Sequence, residues 1–445
     1  MDRTKLTKLI DSIDFAAAGD QMYQLVSEMY PICRSITGKG VRETLGKIKS
    51  IIPLEVKEVP SGTQVFDWTV PKEWNIQDAW VKNSKGDKII DFKQSNLHVL
   101  NYSEPISKTV DLNELKAHLF TLTDHPDWIP YRTSYYQENW GFCMSHNQFA
   151  ELKDGDYDVC IDSSLTEGAL TFGEFFIKGA VSDEVLISTH ICHPSLCNDN
   201  LSGIALAASL GNYLSQVSLN YSYRFLFIPG TIGSITWLSL NRQGASKIKH
   251  GLVVACVGDA GNFTYKKTRR GNAEIDRVVV HALRNSATAF KAVDFFPYGY
   301  DERQYNSPGF NLPVGCLMRT PHGEYPEYHT SADNLEFVKA ENLGAALALY
   351  CDVFKILEQN KKYMNQNPMC EPQLGKRGLY QHIGGHADSQ KFQLALLWTL
   401  NLSDGEHSLL DIAERSGLAF NLIAEAADIL VEKELLKEHI DPGIE

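Results

Sequence analysis

The chain has 445 residues, too many for one ordinary core, and this length predicts two or three domains. With 43% hydrophobic and 22% charged residues it has the balance of a globular protein in water. A formal charge of −13 speaks against general affinity for nucleic acid or acidic membranes, and no apolar run of about eighteen residues is present to cross a bilayer. Nine scattered cysteines, without the spacing of a zinc ribbon or redox motif, read as reduced core residues of a cytoplasmic protein. The opening residues lead into an amphipathic helix rather than the apolar core of a signal peptide.

Residues 14–52 are predicted helical, with apolar positions at three-to-four spacing over 21–30 and 41–52. Ser35-Ile36-Thr37-Gly38-Lys39-Gly40 breaks them, and a short strand follows at 54–59. From about Gly62 the texture changes. Trp68, Trp74 and Trp80 recur beside short alternating runs, and with a helix over 112–121 the stretch 62–130 reads as a small inserted α+β domain. The aromatic residues Trp128, Tyr131, Tyr135, Tyr136 and Trp140 suit either a binding cleft or, on the plainer reading, a packed domain interface.

Strands at 158–161, 171–177, 184–189, 223–228 and 251–257 alternate with helices at 204–214, 233–241, 277–285 and 341–359, leaving an irregular segment over 296–332. Such alternation predicts an α/β fold with a mostly parallel sheet, built from residues 1–61 and 131–362. Asn365-Gln366-Asn367-Pro368, with Pro372 and Gly375, makes a linker. Beyond it, three compact amphipathic helices (390–400, 408–416 and 421–430) give residues 363–445 the shape of a winged helix-turn-helix domain. DNA is the partner such a domain invites. Yet residues 404–445 hold eleven acidic side chains against Arg415, Lys433 and Lys437 alone, a surface that repels phosphate. A protein partner, self-association or simple packing is the better expectation.

Chemistry concentrates in four stretches. His190 and His193 follow the apolar strand at 184–189, and Asp199 comes before the helix at 204–214. Imidazole and carboxylate at the edge of an open α/β sheet are the ligands of zinc and similar cations. Val257-Gly258-Asp259-Ala260-Gly261 places an acid at the next strand end. Gly299-Tyr300-Asp301-Glu302-Arg303-Gln304-Tyr305 is a polar cluster, and Tyr328-His329-Thr330 with Asp333 supplies another histidine. Each has a plain structural reading: Asp199 as a helix cap, Asp259 as a turn residue, Asp301-Glu302-Arg303 as a solvated ion-pair patch. Their succession at the loops after β-strands points to a site.

These residues also carry a resemblance. Asn198-Asp199-Asn200-Leu201-Ser202-Gly203 resembles the bridging-aspartate motif of the co-catalytic zinc aminopeptidases, a group that includes glutaminyl cyclases and glutamate carboxypeptidase-type enzymes. Tyr328-His329-Thr330 with Asp333 resembles their closing histidine motif, and Asp259 falls where their strand-end metal carboxylate belongs. Nearly the whole chain is further similar to a bacterial family with an aminopeptidase-like (phosphorylase/hydrolase-type) core, a small inserted domain and a C-terminal winged helix. Cys192-His193-Pro194-Ser195, Asp301-Glu302-Arg303-Gln304-Tyr305 and Pro326-Glu327-Tyr328-His329-Thr330-Ser331 carry that likeness. It implies one or two zinc ions on His193, Asp199, Asp259 and His329, with His190 the alternative to His193.

The departures from the pattern bear on chemistry. Zinc aminopeptidases use His-x-Asp at the first site, whereas His190-Ile191-Cys192 and His193-Pro194-Ser195 both lack the aspartate. After the strand at 223–228 the peptidases place two glutamates, a general base and a metal ligand; here Gly230 and Thr231 stand in their positions. Loss of a general base typically costs about 10²–10⁴-fold in rate. Another carboxylate must take over, with Glu302, Glu324 and Glu327 as candidates, or ordinary peptidase activity is weak. Asp301, Glu302 and Arg303 are the candidate catalytic residues, and Arg319 and Tyr328 the candidate substrate contacts, each arginine serving equally well in an ion pair.

Three functions fit. The first is a zinc-dependent amide hydrolase acting on a peptide or small molecule. The second keeps the metal pocket but acts on a non-peptide substrate of cell-surface carbohydrate biosynthesis. The third is a non-catalytic binding or regulatory protein with a relic pocket.

Overall fold

The computed structural model describes residues 3–286, 288–379 and 387–439. Strand Glu184–His190 is buried at all seven positions. Its Val185-Leu186-Ile187 core needs apolar neighbours on both faces, as an interior parallel strand has. It lies within an eight-stranded sheet ordered Glu55–Pro60, Ala169–Ile177, Ser222–Ile228, Glu184–His190, Ile248–Val254, Val314–Met318, Phe263–Lys266 and Phe290–Val293. The four central strands run parallel, with Ile187 opposite Phe225 on one side and Leu252 on the other. Antiparallel strands flank them, closed at one edge by the parallel pair Phe263–Lys266 and Phe290–Val293. The loops leaving the four central strands therefore meet along one edge of the sheet, where α/β proteins place their ligands.

Helices Gly203–Leu214 and Ile232–Leu240 are buried almost all round, including Leu206, Ala207, Leu210, Ile235 and Trp237. Apolar side chains with no polar face are what two-sided burial of a helix demands. Asp14 caps helix Phe15–Met29 by accepting from the amides of Ala16 and Ala17.

Two expectations change. The central strand Val314–Met318 lies inside the segment predicted irregular. A five-residue run has too little periodicity to distinguish it from a loop. The four-stranded antiparallel sheet of the inserted region is completed by Asp156–Thr166, beyond the 62–130 bounds, and the strand read at 158–161 pairs there with Glu73–Lys82 and Ile106–Asp111. Trp74, Val81, Val110 and Ile161 fill its core.

Lys8–Asp276 with Thr288–Ala348 form one compact unit, and Leu349–Glu445 with Arg277–Ala287 form most of a second. In the second, helices Ala387–Leu402, Leu409–Ser416 and Phe420–Glu432 accompany a three-stranded antiparallel sheet of Asp404–Ser408, Lys362–Asn365 and Leu436–Glu438. Of the expected linker, only its first residue, Asn365, lies in a strand. Ser408 and Asp411 form a capping box at the start of Leu409–Ser416, and Gly417 ends it at φ 69°. Helix Phe420–Glu432 buries Phe420, Ile423, Ala427 and Leu430 and leaves Glu425 and Asp428 exposed. No described helix is long and apolar enough to cross a membrane.

Candidate metal centre

Strand Glu184–His190 delivers His190 at its C-terminal end, and the turn that follows brings His193 back beside it. The chain then passes through the tight turn Cys197–Ser202, where Asp199 takes a non-helical conformation (φ −112°, ψ 80°). Oδ1 of Asp199 lies 2.8 Å from Nε2 of His190. Its Oδ2 lies 3.0 Å from Nε2 of His329 and 3.4 Å from Nδ1 of His193. The side chain of Asp199 is fully buried. Three imidazoles thus surround one carboxylate, and ligand atoms of His190, His193 and Asp199 all lie within 4.8 Å of one another.

Burial alone would raise the Asp199 carboxyl, but His193 and His190 outweigh it and hold the group well below the ordinary carboxylate range. Burial lowers His190 and His329, keeping both neutral with a lone pair to donate. For His193 burial acts the same way but loses to Cys192 and Asp199, which push it up.

A second set of groups holds the first. Asp333, fully buried, accepts the backbone N–H of Asn198 at 2.6 Å and of Asp199 at 2.9 Å. Burial pushes its own carboxyl up to about 7. Arg34, fully buried, donates from Nε to the carbonyl of His193 at 2.9 Å and from a terminal nitrogen to that of Met29 at 2.8 Å. Asn200 donates to Thr189 Oγ1 at 2.8 Å and accepts from the amide of Cys256 at 3.3 Å, joining two strand ends. Tyr131 stands edge-on to His193 and His329 at 5.1 and 5.0 Å and donates its amide to the His329 carbonyl. Of the aromatic stretch, this residue backs the site.

Other predicted residues lie elsewhere. Asp259 is outside the group: Oδ1 accepts from Thr320 Oγ1 and the Gly261 amide, both at 2.6 Å, and Oδ2 accepts from Asn198 at 3.0 Å. The strand-end side chain near the histidines is Cys256, whose Sγ lies 2.9 Å from the hydroxyl of Tyr300, itself stacked on His190 at 5.0 Å. Glu302 is buried in an ion pair with Lys266 at 2.8 Å. Arg319 donates to the carbonyls of Gly261 and Asn342 and lies over the ring of Phe263. Arg303, Glu324 and Glu327 do not line the cavity, and Glu324 is exposed beside Lys291.

That cavity, of about 140 Å³, is lined by His190, His193, His329, Asp301 and Tyr328 together with Gly230, Tyr298, Tyr300 and His322. Tyr328 stacks on His329 at 3.9 Å. Sequence reasoning left out Arg34, Cys256 and the positioning role of Asp333. Asp333 alone had a signal, its place in the histidine motif; nothing local marks Arg34, which acts 159 residues away.

Comparison with known proteins agrees with this architecture. A Clostridium acetobutylicum protein with the provisional name polysaccharide biosynthesis protein with aminopeptidase-like domain is 55% identical over 419 residues, 94% of this chain and 96% of its own. The crystal structure of a provisionally named peptidase from Clostridium acetobutylicum superposes with TM-score 0.93 at 52% identity, covering 98% of this chain and all of that one (100%). The zinc aminopeptidase BSAP from Bacillus subtilis shares the fold alone, with TM-score 0.56 at 13% identity over 75% of this chain and 93% of its own. Residues 361–438 match the winged helix-turn-helix family. Residues 23–360 match the family described as a domain of unknown function, DUF4910, and the chain belongs to that family, with an aminopeptidase-like fold and a C-terminal winged helix-turn-helix.

Proposed function

We propose that the protein is a metal-dependent hydrolase holding one zinc-type cation on His190, His193 and Asp199, with His329 closing the set, and cleaving an amide or related bond. The observation that carries this reading is the buried Asp199 carboxylate with three imidazole nitrogens within 3.4 Å. Three histidines and a carboxylate are a zinc donor set. A bound cation would polarise the scissile carbonyl and lower the pKa of water. Gly230 and Thr231 provide no carboxylate and Asp259 is engaged by Thr320 and Asn198, which supports one cation rather than two.

Within the cavity, Tyr298, Tyr300, Tyr328 and His322 provide aromatic faces for the substrate, and none of the described lining residues is an arginine or lysine. A phosphate or carboxylate on the bound group would find no arginine or lysine there. The provisional name of the Clostridium relative supports an amide-bearing sugar as substrate ahead of a peptide. The nine free thiols fit a reducing cytoplasm, and the acidic winged helix fits a protein contact rather than DNA.

Elemental analysis after purification without chelator tests the reading. About one zinc per chain, lost in His193→Ala and His329→Ala, is expected for a site of this donor set. A chain that binds no metal and takes none up on adding zinc would overturn it. A panel of peptide amides and N-acetylated sugars then separates the two substrate classes.

A further inference from the structure

Gly230 leaves a gap where the aminopeptidase-like pattern has a side chain, and the structure shows what stands beside that gap. A Cβ added at Gly230 would lie 3.1 Å from Cβ of His190, and 3.5 and 3.7 Å from Oδ2 and Oδ1 of Asp301. The space that a side chain at 230 would enter is thus reached by a carboxylate from a different loop. Asp301 is 1% exposed and lines the same cavity as His190, His193 and His329. Its Oδ1 is anchored, accepting from Ser234 Oγ at 2.8 Å, while its Oδ2 has no hydrogen-bond partner. A buried carboxylate oxygen without a donor is costly, and such groups persist where a ligand or water completes them. The adjacent Glu302 also has a buried oxygen without a partner, Oε2, but its Oε1 pairs with Lys266 and it does not line the cavity, so of the two acids Asp301 is the one that faces the site.

We infer that Asp301 is the proton-transfer residue of this site, doing from the opposite loop what a side chain at 230 does not. The inference rests on the metal-hydrolase reading above. Water oxygen forms a bond to the acyl carbon while Oδ2 of Asp301 takes one of its protons. The carbon–nitrogen bond then breaks and Asp301 passes that proton to the departing nitrogen. Amide and water become acid and amine, and the carboxylate ends as it began.

Acetohydroxamate, a metal-binding probe that must give up a proton to a nearby base, tests this by calorimetry on the zinc-loaded protein. Wild type, Asp301→Asn and the double variant Asp301→Asn/Gly230→Glu are compared, with zinc content measured for each. Asp301→Asn is expected to keep its zinc and lose about 10- to 100-fold in hydroxamate affinity, the worth of one charge-assisted hydrogen bond. The double variant is expected to recover part of the loss. Ser234→Ala, which frees only Oδ1, should fall between and guards against a misfolded Asp301→Asn. In a crystal structure of the zinc-loaded wild type, a solvent molecule should lie within hydrogen-bond reach of Oδ2. Unchanged affinity in Asp301→Asn, or zinc-loaded wild type that does not bind the probe, overturns the assignment. Wild type that binds no zinc overturns the underlying reading instead.

Discussion

Oδ2 of Asp199 lies 3.0 Å from Nε2 of His329, a residue 130 positions further along the chain. Asp333, four residues beyond that histidine, accepts the amides of Asn198 and Asp199. One segment therefore supplies both the imidazole and the clamp that aims the carboxylate at it.

Replacing Asp333 should loosen the centre without removing a donor. Asp333→Asn has one carbonyl oxygen for two backbone amides. Zinc affinity is expected to fall about 10- to 100-fold, as for other residues that orient a ligand. Leaving one buried amide unpaired should cost about 1–3 kcal/mol of stability. Zinc titration with a chelating indicator and urea unfolding measure the two effects.

Lys266 and Glu302 form a pair in which each side chain is 1% exposed. Lys266→Met strands a buried carboxylate and is expected to cost about 3–5 kcal/mol, whereas Lys266→Met/Glu302→Leu should recover most of it. Denaturant midpoints of the single and double variants check this. Equal loss in both would show that the pair matters for something besides charge neutralisation.

The pH dependence of the metal-free protein carries a signature of Asp301. Burial pushes this carboxyl up to about 7, above the roughly 3.9 of an unfolded chain. Its stabilising contribution is therefore full below about pH 4 and is lost as the pH rises through about 7. Buried histidines with lowered values, His190 and His250 among them, act in the opposite sense, losing stability as the pH falls below about 6.5. Subtracting wild type from Asp301→Asn removes what the two share, including His250 and Asp333, whose raised carboxyl acts in the same sense as Asp301. The variant should gain on wild type as urea unfolding is repeated from about pH 5 to about pH 8. A difference that stays flat would count against the shifted carboxyl.

Gly203 follows the Asp199 turn, and a Cβ there would meet Asn200 Oδ1 at 2.4 Å and the Val254 carbonyl at 2.6 Å. Neither can yield cheaply, since Asn200 ties Thr189 to Cys256. Gly203→Ala is expected to cost about 1–3 kcal/mol through overpacking and to lower zinc affinity by displacing the turn. Thermal melting with and without zinc separates the two.

The α/β alternation was legible because its helices and strands are long and apolar. The histidines and Asp199 stood out because polar residues broke an apolar text at a strand end. Val314–Met318 was hidden by its brevity. Asp259 misleads because the acid near a strand end is aimed by its partners, and Thr320 lies 61 residues away. Asp301 could be named a candidate from its neighbourhood, but its proximity to the gap at Gly230 depends on two loops folded against each other.

The bond from Arg34 to the carbonyl of His193 spans 159 residues, and the one from Asp199 to His329 spans 130. In synthesis these are events separated in time. When His193 and Asp199 leave the ribosome, Arg34 has long been available, but at about 5–20 residues per second the closing histidine follows about 10 s later. For that interval two imidazoles and a carboxylate stand without the third imidazole or the Asp333 clamp. A cation captured early would be held loosely and would exchange. If the site holds a metal, its choice is made last, once the chain beyond Asp333 has emerged, from the ions free where folding finishes.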